Sequence, residues 1–433
     1  MKIAFISLGC SKNLVVTEEM IGLFKKHNYE IVSNAEEADV IVINTCGFID
    51  AAKSEGIDTI LEMSDYKKKN CKYLIVTGCL VERYKEELEK ELPEVDLFIP
   101  IRNYDDLWKQ LSLLINNKQS VDKLDYHNRM ISTGETMAYL KIAEGCSNYC
   151  TFCAIPYIQG KYISRDYDDI VLEAKELAEK GYSEIVIIAQ DTTKYGVDLY
   201  GKPRLAELLE DISKIEGIKW IRFLYSYPEM INEELIQMVK NNKKICKYFD
   251  IPIQHINNRI LSLMNRKSSG ESIKELIKKI RKEIPGVIIR TTLIVGFPTE
   301  KEEEFEELYS FVKDSKFDRL GAFAFSSEEG TAASRIKEQV ADAIKEERKN
   351  KIMILQQEIS RKKMKEKIGN SYEVIIENIS DNGQYFIGRS YMDVPSEDGV
   401  IYVDYDPSIV LNEYIDVIIY DSDDYDLYAK VKK

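Results

Sequence analysis

Short apolar runs separated by amphipathic stretches dominate the first hundred positions. Three of them, KIAFISL (2–8), DVIVINT (39–45) and YLIVTG (73–78), are rich in β-branched residues and too short for helices. Each gives way to a polar segment of helical length, an alternation that predicts an open parallel α/β sheet over residues 1–115. The periodicity fades beyond Leu111, and the turn-rich segment 116–136 reads as a linker between domains. A second series follows: AYLKIA (138–143), EIVIIAQ (184–190), IKWIRFLY (218–225), YFDIPIQ (248–254), VIIRTTLIVG (287–296) and RLGAFAFS (319–326). Six strands alternating with helices predict a partial (βα)6 barrel within 137–367. It closes on a long helical pattern, 341–367, with Ile352, Leu355, Ile359 and Met364 on one side and Gly369 as its stop. From 368 to 433 about five short strands, with turn signals at Asp381-Asn382-Gly383 and Asp398-Gly399, predict a small separate β-barrel. The fold class is therefore α/β with an appended β module.

Chemistry enters at the ends of these strands. The three N-terminal runs finish at Gly9-Cys10, Thr45-Cys46-Gly47 and Gly78-Cys79. In an open parallel sheet the carboxyl ends lie along one edge, where such sheets place their ligands, so Cys10, Cys46 and Cys79 are expected to converge. A second trio, Cys146, Cys150 and Cys153, sits in EGCSNYCTFC (144–153) with CxxxCxxC spacing. Three thiolates can ligate three irons of a [4Fe-4S] cluster and leave the fourth open to a substrate, which distinguishes a catalytic site from a closed structural one. Cys71 and Cys246 lack partners at ligand spacing and read as packing residues. His27 and His127 likewise have no metal-ligand company.

Composition narrows the setting. Eight cysteines in 433 residues are too few for a disulfide scaffold, and MKIAFISLGC, a short apolar run ending in Gly-Cys, is not expected to act as a cleavable leader. No apolar run reaches the roughly 18 residues of a membrane span, so a reducing cytoplasm is expected and a membrane is not. Net charge is −14, and ten of those charges lie beyond Gly369, where fourteen acidic residues face four basic ones. Such a tail repels phosphate and attracts basic surfaces.

The cysteine loop, with Phe152 before its last thiol, resembles that of the radical S-adenosylmethionine (SAM) enzymes. Together with SLGCSKN, NTCGFI, TGCLVERY, IVGFPTE and the C-terminal β-barrel, which is similar to a TRAM domain, the whole chain resembles the radical SAM methylthiotransferase family. The resemblance implies two [4Fe-4S] clusters, on Cys10, Cys46 and Cys79 and on the catalytic Cys146, Cys150 and Cys153. SAM would serve as both methyl donor and radical source, and an electron donor such as flavodoxin or ferredoxin is implied as partner. SAM contacts are expected at the barrel strand ends, from Gln190, Asp191, Gln254, Arg290, Thr292 and Gly296. Lys161 and Arg165 are candidates for substrate carboxylates or cluster charge.

Three stretches, AIPYIQGKYISR, AQDTTKYGVD and YFIGRSYMDVPSEDG, resemble the RimO-type branch, which methylthiolates the β-carbon of an aspartate in small-subunit ribosomal protein twelve (uS12 family). The acidic tail points the same way. Ribosomal proteins, free or in the small subunit, are basic, whereas a tRNA-binding module should be positive. The alternatives are a MiaB-type tRNA adenosine methylthiotransferase and a non-catalytic iron-sulfur RNA-binding protein.

Overall fold

Five parallel strands form the N-terminal sheet in the computed structural model, which describes residues 1–116 and 120–432. They are β1 (Lys2–Ser7), β2 (Glu30–Val32), β3 (Val40–Thr45), β4 (Tyr73–Gly78) and β5 (Leu97–Ile99), in the order β2-β1-β3-β4-β5. The three strands read from the sequence are the central ones. The two edge strands are only three residues long, too short for any hydrophobic period to register. Helix α1 (Ser11–Lys26) covers one face, packing Met20, Leu23 and Phe24 against Ile3, Val40, Val42 and Trp108. Helices α2 (Asp50–Ser64) and α3 (Cys79–Glu91) cover the other through Ile60, Met63, Leu80 and Leu88.

The central domain supplies six parallel strands, β6 (Met137–Lys141), β7 (Glu184–Ile188), β8 (Trp220–Phe223), β9 (Tyr248–Asp250), β10 (Ile288–Val295) and β11 (Arg319–Ala324). They pair as two three-stranded sheets, β8-β7-β6 and β9-β10-β11, joined by the bridge Ile221–Ile245. One face of each strand packs on the helices through residues such as Ile185, Ile187, Phe249, Ile289 and Leu293. The alternate positions face the lumen, as strand geometry requires. The helix Asp342–Lys365 packs Ile352, Leu355 and Ile359 into the same core, on the side the pattern indicated.

The C-terminal strands, β12 (Ser371–Ile379), β13 (Tyr385–Arg389), β14 (Ile401–Asp404), β15 (Tyr414–Ser422) and β16 (Leu427–Val431), close into a barrel in the order β12-β13-β14-β16-β15. The small barrel is closed on itself, as expected, and it also packs tightly on the central domain. Val374, Phe386 and Met392 share one core with Tyr139, Val186, Trp220 and Tyr248 from the lumen of the larger barrel. Charged lumen residues meet the small barrel directly: Glu184 accepts from Arg222 at 3.1 Å and from Arg389 at 2.8 Å, and Arg319 pairs with Asp393 at 2.7 Å. Arg222, Glu184 and Asp393 are all buried. The sequence shows these charges as a solvated surface, but several of the tail's carboxylates are used up in sealing the barrel floor.

The linker also departs from expectation. Positions 117–119 lie outside the described residues; from Ser120 to Glu135 the chain has no regular strand or helix, yet it is firmly docked. Arg129, 5% exposed, donates to Glu18 of α1, to Glu173 at 2.9 Å and to the Tyr139 carbonyl. Glu18 also accepts from the Ser132 backbone and hydroxyl at 2.7 and 2.8 Å. His127 lies between Glu176 and Asp169, at 2.7 and 2.9 Å, and burial and these two carboxylates act on it in opposite senses, with a net rise above the ordinary imidazole value. Among the described residues no helix is long and apolar enough to cross a membrane.

Beside Glu18, Glu19 is buried against Lys141 at 3.6 Å, while Lys141 sits closer to Glu144 at 2.5 Å. Burial pushes the Glu19 carboxyl from 4.5 up to about 7, because desolvation and the negative Glu144 outweigh the attraction of Lys141. The folded-state value is raised, so the stabilising contribution is complete below pH 4.5 and is lost as pH rises through 7, where the unfolded chain has already ionised. Glu19→Gln is therefore expected to be more stable than the parent at pH 8 by up to about 3 kcal/mol. Urea denaturation at several pH values should show that gap closing as pH falls toward 4.5.

Candidate active site

Strands β1, β3 and β4 are neighbours in register, with Ser7 opposite Asn44 and Thr45 opposite Gly78, so their C-terminal ends lie side by side. Each end carries one thiol of the first trio. Cys10 is the N-cap of α1, Cys46 follows β3 and Cys79 opens α3. Helix N-termini favour the thiolate form through the aligned backbone N–H groups. Two glycines make the approach possible: Gly9 has φ +88°, and a Cβ there would fall 2.7 Å from that of Cys46. At Gly78, φ +99°, a Cβ would meet the Thr45 carbonyl and Asn44 Oδ1 at 2.4 Å. Asn13 then clamps the cluster of turns, its Nδ2 donating to the Leu8 and Thr45 carbonyls at 3.1 Å each. Its Oδ1 is 3.8 Å from the Cys79 thiol. Asn13 escaped the sequence reading, although its place three residues after Cys10 in SLGCSKN is a signal that could have found it.

The second trio occupies the loop after β6. Later segments of the barrel fasten that loop: Thr151 donates its N–H to Met264 and its hydroxyl to Leu263, Asn265 Nδ2 donates to the Asn148 and Tyr149 carbonyls, and the Ala333 N–H donates to Thr151. Arg266, 8% exposed, places Nη1 3.8 Å from Cys150 Sγ and stacks 4.2 Å from the centroid of Tyr227, whose hydroxyl is 3.6 Å from the same sulfur. A buried cation beside a thiolate offsets the charge that a thiolate cluster carries inward. Neither Arg266 nor Tyr227 was singled out from sequence, since both lie far along the chain from the cysteines.

Burial pushes the Cys79 thiol up to about 12, with Cys10 and Cys46 adding to the rise, and pushes Cys146 up to about 11. Burial likewise raises Cys153, with Cys150 and Cys146 adding to it. Such thiols stay protonated at neutral pH until a metal takes them as thiolates. Each trio is close enough for electrostatic coupling, yet among the described residues no three His, Cys, Asp or Glu side chains close to single-ion spacing. Three thiols can ligate three irons of a [4Fe-4S] cluster and leave the fourth open to a substrate.

The expected SAM contacts separate into groups. Gln254 and Thr292 line a largely apolar cavity of about 400 Å³ together with Phe152 of the cysteine loop and with Phe48 and Ile49, which follow Cys46. Gln254 has φ +69°, and its Oε1 is buried without a hydrogen-bond partner, an acceptor aimed at a ligand-sized space. Asp191 accepts from Asn148 at 2.9 Å and Thr193 at 2.7 Å, steadying the cysteine loop. Gln190 donates to Gln159 at 2.8 Å, Gln159 in turn reaches Cys79 Sγ at 4.0 Å, and the next residue, Gly160, accepts the Cys146 N–H at 3.1 Å, so the segment Gln159-Gly160 touches both trios. Arg290 requires correction: it pairs with Glu397 beside Asp250, lining a different cavity with Asp318 and Arg319. Gly296 does too, because the space beside it is filled by Lys345, whose Cγ would lie 2.3 Å from a Cβ, and its N–H is held by Glu300. Arg165 is consumed by Glu173 at 2.6 Å and by the Tyr126 ring, while Lys161 is exposed. Cys71 and Cys246 are buried packing residues.

Three family models match the chain. One, described as the uncharacterized protein family UPF0004, covers residues 2–100; the radical SAM superfamily covers 140–312; the TRAM domain covers 368–431. A protein of Alkaliphilus oremlandii named ribosomal protein uS12 methylthiotransferase RimO is 58% identical over 433 residues, 100% of this chain and 99% of the relative. A protein of Caldicellulosiruptor saccharolyticus with the same name is 53% identical over 439 residues, with 99% of each chain covered. The chain belongs to the RimO family. Membership of the RimO family makes it a radical SAM methylthiotransferase with iron-sulfur clusters and SAM as cofactors, and neither the MiaB-type nor the non-catalytic alternative is favoured. Among solved structures, the radical SAM methyltransferase TsrM from Kitasatospora setae superposes with a TM-score of 0.57 at 11% identity, over 75% of this chain and 74% of that one, a likeness of fold.

The clamp around the first trio leads to a direct test in this RimO-family chain. Gly9→Ala should force Cys46 aside and lower stability by about 1–3 kcal/mol, as overpacking of a dense site does. Thermal unfolding followed by circular dichroism should register the loss, and an unchanged midpoint would mean that the crowding at Gly9 is not a constraint.

Proposed function

We propose that this protein transfers a methylthio group to the β-carbon of an aspartate in ribosomal protein uS12, in the cytoplasm, with an electron donor such as flavodoxin or ferredoxin. One observation supports the reading: one thiol trio sits at the ends of β1, β3 and β4 and the other in the loop after β6, and the segment Gln159-Gly160 touches both, Gln159 reaching Cys79 Sγ at 4.0 Å and the Gly160 carbonyl accepting the Cys146 N–H at 3.1 Å. Cys10, Cys46 and Cys79 would hold one [4Fe-4S] cluster, and Cys146, Cys150 and Cys153 the other. Bound there, the clusters and SAM supply radical generation, a sulfur site and a methyl group. Gln254, Thr292 and Phe152 would orient SAM beside the loop trio.

The remaining residues prepare that chamber. Arg266 and Tyr227 stabilise charge at Cys150. The small barrel and the Glu184 network close the floor of the lumen against water, which radical chemistry on an unactivated C–H bond demands. On the Cys10 side a polar cavity of about 870 Å³ runs between the N-terminal domain and the small barrel, lined by Glu135, Glu377 and Glu397 with Arg389. Its carboxylates suit the approach of a basic polypeptide. The exposed acids Asp381, Glu413, Asp416 and Asp421 extend the same sign outward and disfavour a phosphate backbone.

Mass spectrometry of uS12 and of tRNA after anaerobic incubation with the reconstituted protein, SAM and reductant tests the reading. A methylthio group is expected on a uS12 aspartate; the same group on a tRNA adenosine, with uS12 unmodified, would overturn it. Cys46→Ala is expected to retain SAM cleavage and lose methylthiolation. Continued methylthiolation by that variant would refute the assignment of the first trio.

A further inference from the structure

A buried cation with no part in the chemistry described so far stands beside the first trio. Lys12 lies in the first turn of α1, two residues past Cys10, and is 7% exposed. Its ammonium sits 3.5 Å from the centroid of the Tyr225 ring, just beyond the C-terminal end of β8 at the mouth of the barrel. Among the described residues it forms no ion pair. Asp250, on the neighbouring strand, is already engaged: its Oδ2 accepts the Tyr225 N–H at 2.9 Å, and Arg290 faces it. Tyr225 itself holds a φ of +62°, a costly conformation for a side chain of that size, and the Asp250 bond helps to fix it under the lysine.

An aromatic face returns only about 0.5–2 kcal/mol to an ammonium, less than the several kcal/mol that burial removes. A cation kept in such a place is stabilised when a ligand brings an anion. We propose that Lys12 receives the carboxylate of the substrate aspartate and so directs its β-carbon toward the space between the two thiol trios. This rests on the uS12 reading above. Aspartate delivers one carboxylate at the required reach, whereas the base of an adenosine delivers none, so the same lysine separates a protein substrate from a nucleoside. SAM also carries a carboxylate, and the test must tell the two apart.

Calorimetry under anaerobic conditions, on the reconstituted full chain, would compare uS12 with uS12 whose target aspartate is replaced by asparagine. The parent protein is expected to prefer the aspartate form by at least about tenfold, the scale of one charge-assisted hydrogen bond. Lys12→Met should abolish that preference while leaving SAM affinity and iron content unchanged. Lys12→Gln, which keeps the stem and an N–H donor, gives the same comparison if methionine prevents iron uptake. Equal weakening toward both forms would show a merely structural lysine, and a fall in SAM affinity would assign it to the cofactor; either outcome overturns the proposal. A parent protein that fails to modify uS12 removes the functional reading and Lys12 with it. A parent that modifies uS12 while the variants keep the preference removes Lys12 alone.

Discussion

A guanidinium that cannot reach water governs how this molecule is put together. Arg129 is buried between Glu18 of the first helix, Glu173 of the central domain and the carbonyl of Tyr139. Loss of either carboxylate would leave a charge stranded in the interior, so the three segments hold one relative placement. The two cysteine trios belong to different domains, and their separation depends on that placement. Chemistry that passes between two metal sites tolerates little play, and a buried ion pair enforces geometry even where it contributes little net stability.

Much of this was legible in the chain because local chemistry and strand periodicity coincide. Apolar runs ending at an adjacent Gly and Cys show both the strand and the edge on which its thiol appears, and the neighbouring registers of β1, β3 and β4 complete the inference. The CxxxCxxC loop is local and so was readable. The residues that serve it are not: Arg266 and Tyr227 reach Cys150 from more than seventy positions away, and Gln159 meets Cys79 across eighty. Arg290 and Gly296 were misplaced for a related reason. A strand-end position says which end of a barrel a residue occupies, but Glu397 and Lys345, which claim those two, come from segments whose packing has no local signature.

Charge was the least readable property. The C-terminal segment counts as strongly acidic, yet Glu377, Asp393 and Glu397 are each paired with an arginine, Arg389, Arg319 and Arg290, with Asp393 buried and the other two partly exposed. Sequence gives the sign of a segment; only packing tells which of its charges a partner can feel. Here the exposed remainder is still acidic, so the preference for a basic partner survives the correction with fewer participants than the count suggests.

The sealed floor of the large barrel bears on how such proteins diversify. Glu184, Arg222, Arg290 and Arg319 lie on four different barrel strands, and each faces the small barrel through a matched group. A C-terminal domain transplanted from a distant relative would therefore arrive with the wrong counter-charges and open the chamber to water. Change of partner in this architecture must proceed by altering the outer surface of the resident domain, while its inner surface stays fixed by the enzyme it closes.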